Sequence, residues 1–245
     1  GRHVFVGQHI GDLETVPAYD AFVRESSALQ EMFDCTPLKV ACDSHPDYVS
    51  TTYAHASGLP VVEVQHHYAH VLACMAEHKL DGPVLGVSWD GTGLGTDGVI
   101  WGGEFLCADR KEYVRVAHLR EFRLPGGDRA VREPRRCAFA LLSKLYVPLD
   151  EIESIPTMRA FSNAERTTLS TMLKKNINSP KTTSAGRLFD AVASIAGICQ
   201  RSSYEGQAAM ALEGLASTLD SDCAAYAFDI VERDERLVVD WAPVI

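Results

Sequence analysis

An α/β fold is predicted by three features of the sequence. Short apolar or β-branched runs alternate with stretches of helical apolar spacing up to about residue 78; three β-like runs separated by turns follow; and the remainder is mostly helical before a closing pair of strands. In order, residues 4–6 read as a strand, 16–33 as a helix and 38–42 as a buried strand. Residues 46–55 fit a short helix, with Asp43 or Ser44 as its candidate cap. A strand over 61–64 then leads into a helix over 66–78. The runs 84–89, 99–106 and 113–119 predict a meander at a sheet edge. After the break at Pro125-Gly126-Gly127-Asp128, helices are expected over 132–145, 164–175, 186–199 and 206–218, and a hairpin over 226–231 and 236–241. The change of pattern places a lobe boundary between residues 122 and 130, giving a first α/β lobe over 1–125 and a mainly helical, partial second lobe over 126–245.

Composition narrows the classes of function. With 46% hydrophobic and 23% charged residues, the 245-residue chain can bury a substantial core. No apolar run approaches the roughly 18 to 20 residues of a membrane span. The start, Gly1-Arg2-His3-Val4-Phe5, has neither an initiating Met nor the pattern of a signal peptide, and the end has no closing feature, so a fragment of a longer protein is expected. Seven cysteines without Cys-x-x-Cys spacing read as reduced thiols of a cytoplasmic protein. A net charge of -10 argues against a nucleic-acid partner. The densest basic positions, Arg132, Arg135, Arg136, Lys174, Lys175 and Lys181, are read either as a solvated helical face or as ligand contacts.

Residues suited to metal chemistry lie in the middle of the first half. His66 and His70 are four apart, so on a helix both imidazoles leave one face and can reach the same ion, although two partly exposed histidines near a helix start would look the same. His67 points elsewhere. Asp90 ends an apolar strand just before a glycine-rich turn, and either caps that turn or completes a three-ligand site with open positions. Gly93-Leu94-Gly95-Thr96-Asp97-Gly98 matches the dinucleotide string Gly-x-Gly-x-x-Gly, but the following residues read as a strand where that motif needs a helix. The Rossmann reading therefore fails, while a hairpin whose Gly91, Gly93 and Gly95 amides meet phosphate oxygens remains open. In Ser184-Ala185-Gly186-Arg187-Leu188-Phe189-Asp190, Arg187 and Asp190 share a helical face and serve either a phosphate and a ribose or a local ion pair. Tyr204-Glu205-Gly206-Gln207 reads as a turn into a helix, at which Gly206 contacts a sugar or begins the cap.

These segments together resemble the hydrogenase maturation carbamoyltransferase family HypF, in its TsaD-like module. The resemblance is carried by Gly7 to Leu13, Cys42 to Thr51, Gln65 to His70, Asp90 to Glu104, Leu124 to Asp128 with Arg132-Glu133-Pro134, Ser184 to Ala193 and Ser203 to Gly206, all in the family's order along nearly the whole chain. It implies an actin-like ATPase (ASKHA) fold, present as the first lobe and part of the second. It also implies a divalent metal, iron or zinc, on His66, His70 and Asp90, and a carbamoyl-adenylate, an ATP-derived nucleotide, held by the glycine loops with Arg187, Asp190 and Gly206. The carbamoyl group would pass to the C-terminal cysteine of HypE, towards the cyanide ligands of nickel-iron hydrogenase, with no catalytic residue required of this chain. Relatives of this kind carry acylphosphatase, zinc-finger and YrdC-like domains upstream and a further glycine loop and metal-binding aspartate downstream. The isolated chain is accordingly expected to bind metal weakly and to have little activity alone. The competing expectations are an O-carbamoyl or threonylcarbamoyl transferase of the same superfamily, and a non-catalytic docking fragment.

Overall fold

A computed structural model describes residues 3–145, 152–218, 225–234 and 236–245. Its contacts divide the chain into two units, Gly1–His66 and His67–Ile245.

In the first unit, α1 (Val16–Met32) starts where Thr15 turns extended and its hydroxyl accepts the Ala18 amide, with proline in the first turn, where no helical N–H is needed. The strands β1 (Val40–Asp43) and β2 (Val61–Val64) pair in parallel, Val40 opposite Val61 and Asp43 opposite Val64, joined through α2 (Val49–Ala56). This is the strand, helix, strand connection that parallel pairing requires. α2 buries Thr51 and Ala54, and the Thr51 hydroxyl donates to the Asp43 carbonyl at 3.1 Å. Residues 4–6 form no strand; Val4 and Val6 stand exposed, and a three-residue run without a neighbour has no ladder to hold it. α2 begins three residues later than the sequence predicts, because the Asp43 carboxylate accepts the His45 amide at 2.8 Å in a turn instead of capping a helix.

The second unit begins one residue into α3 (His66–Glu77). β3 (Val84–Leu94), β4 (Ile100–Ala108) and β5 (Tyr113–Leu119) form the expected antiparallel meander. Among the described residues β3 pairs only with β4 and stands at a sheet edge, as expected, while the other side of the meander continues. β5 continues into β9 (Arg236–Asp240) in parallel, and β9 pairs in antiparallel with β8 (Asp229–Arg233), the expected hairpin. The short strands β6 (Phe122–Arg123) and β7 (Lys181–Thr182) complete a seven-stranded sheet in the order β6-β7-β4-β5-β9-β8, with β3 on β4. β3 runs five residues past its expected end, since a bulge between Trp89 and Gly93 carries the strand through the glycine stretch.

The helices follow: α4 (Asp128–Arg132), α5 (Pro134–Leu145), α6 (Pro156–Arg159), α7 (Asn163–Lys175), α8 (Ala185–Ile195) and α9 (Gln207–Ala216). α7 starts in a capping box between Ser162 and Glu165, and α8 starts where the Ser184 hydroxyl accepts the Arg187 amide. Residues Cys137, Ala138 and Leu141 of α5 and Ala191 of α8 are wholly buried with Leu119, Phe122 and Trp241, while Phe139 and Leu142 turn to Met158, Phe161 and Leu169. Each large apolar side chain so buried contributes roughly 1.5–3 kcal/mol. Arg135 and Arg136 are not a solvated face: both are buried on Glu133, which also receives Arg129. Burial works against that carboxylate's charge, but the three guanidinium hydrogen bonds outweigh it and hold its pKa down at about 2. Arg132, Lys174, Lys175 and Lys181 are exposed. Among the described residues no helix is long and apolar enough to cross a membrane.

Candidate metal centre

α3 places His66 and His70 one turn apart, and β3 brings Asp90 beside them at the start of its bulge. One nitrogen of each imidazole and a carboxylate oxygen of Asp90 lie within 4.8 Å of one another, with His70 Nε2 and Asp90 Oδ2 at 3.6 Å. The closeness of α3 to β3 depends on Gly86: a Cβ there would fall 2.4 Å from a methyl of Val71, so only glycine admits the helix to this distance. His66 and Asp90 are partly buried and His70 is exposed, which leaves the cluster open on one side. Two imidazoles and a carboxylate, with room for further ligands, fit a borderline divalent cation such as zinc or ferrous iron.

Asp43, which the sequence offers only as a helix cap, lies at the C-terminal end of β1 with Oδ2 2.8 Å from His66 Nδ1. An imidazole protonated at Nδ1 donates to this carboxylate and keeps the Nε2 lone pair for an ion. His67 is fully buried, its ring 6.1 Å from that of Trp101, and belongs to the packing of α3.

The segment after Asp90 is held from behind by the start of α8. Ser184 Oγ donates to the carbonyls of Asp90 and Gly91 at 2.7 and 2.8 Å, and a Cβ on Gly186 would fall 2.8 Å from Gly91 Cα. The Gly91 amide donates to its neighbour Asp90 Oδ1 at 2.6 Å. Gly93 lies in the β3–β4 ladder opposite Trp101, and the Gly95 amide closes the hairpin on the Val99 carbonyl. The glycine string is thus a hairpin, as its strand-like continuation requires.

Arg187 and Asp190, both buried, approach to 3.0 Å, so the local ion pair read from their spacing is formed. Burial raises the Asp190 pKa to about 6, with Arg187 offsetting part of the rise. A Gly91 Cβ would stand 3.4 Å from Arg187 Nη2 and 3.9 Å from Glu205 Oε1, so these three residues surround one point. Gly206 is left-handed, φ 75°, and forms the N-cap of α9 directly after Glu205.

A second polar cluster, unforeseen from the sequence, lies under the hairpin. Glu104 accepts the amides of Gly102 and Gly103 at 3.1 and 3.2 Å, the Thr183 hydroxyl, and Arg115 Nε at 2.6 Å. Arg115 also reaches Asp97 at 3.0 Å and lies over the Trp101 ring, whose Nε1 donates to Asp97 at 2.9 Å. Among the described cysteines, burial raises Cys42 and carries Cys137 to about 12, so neither is an activated thiol.

The fold is shared with solved proteins. A full-length HypF crystallised in a phosphate- and nucleotide-bound form superposes with a TM-score of 0.89 at 37% identity, over 98% of this chain and 36% of that one. HypF of T. kodakarensis superposes with a TM-score of 0.82 at 30% identity, over 96% of this chain and 32% of that one. The class is therefore an actin-like α/β domain carrying a histidine and aspartate cluster. Residues 1–77 match the HypF Kae1-like domain, and residues 86–245 match the carbamoyltransferase Kae1-like domain, second subdomain. The chain belongs to the HypF family of Kae1-like carbamoyltransferase domains. It is 39% identical over its whole length to the carbamoyltransferase HypF of Synechocystis sp. and 44% identical over its whole length to that of Rhizobium leguminosarum bv. viciae. A probable carbamoyltransferase HypF of Methanocaldococcus jannaschii is 34% identical over 89% of the chain. The chain spans about a third of the length of these relatives, 33%, 31% and 29% respectively.

Proposed function

We propose that this chain is the carbamoyl-transferring part of a longer HypF-type enzyme, and that its His66, His70 and Asp90 hold a divalent metal, iron or zinc. The reading rests on the convergence of three ligand atoms within 4.8 Å in a chain of this family. When bound, the metal supplies Lewis acidity towards an anionic acyl donor. Asp43 fixes the His66 ring, Ser184 and Gly186 hold the backbone of Asp90 and Gly91, and Arg187 and Glu205 offer a cation and a carboxylate beside Gly91 for a nucleotide's phosphate and ribose, with Asp190 behind Arg187 at 3.0 Å. The donor in this reading is a carbamoyl-adenylate made by a YrdC-like domain of the longer protein, which also carries acylphosphatase and zinc-finger domains. The acceptor is the C-terminal cysteine thiol of HypE. Its sulfur forms a bond to the carbamoyl carbon, the carbon to phosphate-oxygen bond breaks with its electron pair leaving on AMP, and the thiol proton goes to solvent. The product serves the cyanide ligands of nickel-iron hydrogenase.

The test is His66→Ala with His70→Ala in the full-length protein, read by bound metal per chain and by transfer of label from carbamoyl phosphate to HypE. A loss of about one metal ion per chain, down to what the zinc-finger domains hold, together with loss of transfer supports the reading. Undiminished metal and transfer in the double variant would falsify it, and would leave this chain as a docking element.

A further inference from the structure

We propose that a cavity of about 580 Å³ between β6, α5 and α7 is a second ligand site, taking a small organic anion: a phosphate or carboxylate head on an aromatic or branched apolar body. No residue of this cavity belongs to the histidine and aspartate cluster or to the Gly91, Arg187 and Glu205 group. Its volume lies within the roughly 300–1,000 Å³ of small-molecule sites. The apolar wall is Phe122, Ala140 and Leu173, the first two of them buried, and it can cover the body of a ligand.

Charge selects the head. Arg123, Lys144, Lys174 and Lys181 line the cavity against one carboxylate, Glu121, in a chain whose net charge is -10. Local structure fixes three of these cations. Lys181 pairs with the Glu121 carboxylate at 2.8 Å, Lys144 donates to the Glu121 carbonyl, and Arg123 donates to the Ser179 carbonyl at 2.7 Å. Lys174 pairs with no carboxylate among the described residues. In the last turn of α7 it offsets the helix dipole, but Lys175 beside it can serve that purpose equally. Four cations and one carboxylate leave a surplus of positive charge over an apolar wall of low dielectric, where an anionic head is held more strongly than at an open surface.

The experiment is calorimetric titration of the 245-residue chain with 1-naphthyl phosphate, 1-naphthoate, 1-naphthol and inorganic phosphate. The two naphthyl anions bind one to one, at least tenfold tighter than either 1-naphthol or phosphate, and which of the two binds tighter identifies the head. Lys174→Glu, an exposed position whose change leaves the melting curve in place, weakens both at least tenfold, while Lys174→Arg restores them. His70→Ala leaves both affinities unchanged, which separates this site from the proposed metal centre. Equal affinities in Lys174→Glu and the parent chain, naphthyl anions no tighter than phosphate, or affinities that fall with His70→Ala would each overturn the proposal.

Discussion

Two polar clusters flank the β3–β4 hairpin, built from similar residue types and settled differently. Beneath it, Glu104 is wholly buried and receives four donors, from Gly102, Gly103, Thr183 and Arg115, while Arg115 is shared with Asp97. At the start of the bulge, His66, His70 and Asp90 bring three electron-pair donors within 4.8 Å on a side open to solvent. In the first cluster acids meet donors, so the protein satisfies its own charges. In the second, two imidazole nitrogens and a carboxylate oxygen converge, a ligand set that suits a borderline cation. The presence of charged residues does not mark a site; the sign and sharing of their hydrogen bonds do.

The largest expected effect breaks the closed cluster. Glu104→Ala leaves Arg115 buried without its main partner, and removing one member of a buried pair costs about 3–5 kcal/mol. Urea unfolding is expected to show a loss of that order; a loss under about 1 kcal/mol would mean that Asp97 and water take over the guanidinium.

Next comes the joint between α8 and β3. In Gly186→Ala the new methyl meets the Gly91 backbone at 2.8 Å, and overpacking of this kind costs about 1–3 kcal/mol. Ser184→Ala removes the α8 cap and both bonds to the Asp90 and Gly91 carbonyls, for about 1 kcal/mol. Because the joint positions Asp90, both variants are expected to weaken zinc binding as well, read by competition with a chromogenic chelator. A change in stability with no change in zinc affinity would detach Asp90 from the ion.

Two buried carboxylates sharpen the contrast through pH. Glu133 has its folded pKa lowered to about 2, so its contribution is complete above the ordinary value of 4.5 and is lost as the pH falls towards 2. Asp190 has its folded pKa raised from 3.8 to about 6, so the folded state holds the extra proton, and stability falls as the pH rises through that window. Asp190→Asn is therefore expected to flatten the stability profile between pH 4 and 6, and Glu133→Gln to flatten it between pH 4.5 and 2. Chemical unfolding at half-unit pH steps checks both. An unchanged slope in Asp190→Asn would mean that Arg187 keeps that carboxylate ionised.

What the sequence made legible follows from distance along the chain. The four-residue step from His66 to His70, the strand end at Asp90 and the hairpin glycines are local patterns, and local periodicity reads them. Asp43 reads as a helix cap from its neighbours alone, because its partner His66 lies 23 residues away and nothing nearby announces it. Glu104 carries no local mark in the sequence, since its role requires Thr183, 79 residues on. The same limit hid the seat of β9: it pairs in parallel with β5 across more than a hundred residues, and Trp241 Nε1 closes on the Arg120 carbonyl at 2.6 Å. The run at residues 4–6 failed in the opposite sense, with a strand-like pattern and no neighbour to pair with.

The smallest expected effect on stability belongs to the open cluster. His70 is more than half exposed and lies 3.6 Å from Asp90, so in the metal-free chain His70→Ala is expected to change stability by no more than about 0.5 kcal/mol. Added zinc separates the two chains. A ligand that binds only the folded state raises its stability by RT ln(1 + [L]/Kd), about 2.7 kcal/mol at one hundred times Kd. The parent chain should therefore melt higher as zinc is added, and His70→Ala should not. If His70→Ala lowers the metal-free melting temperature as far as Ser184→Ala does, the imidazole is a structural partner of Asp90, and the open cluster is a second closed one.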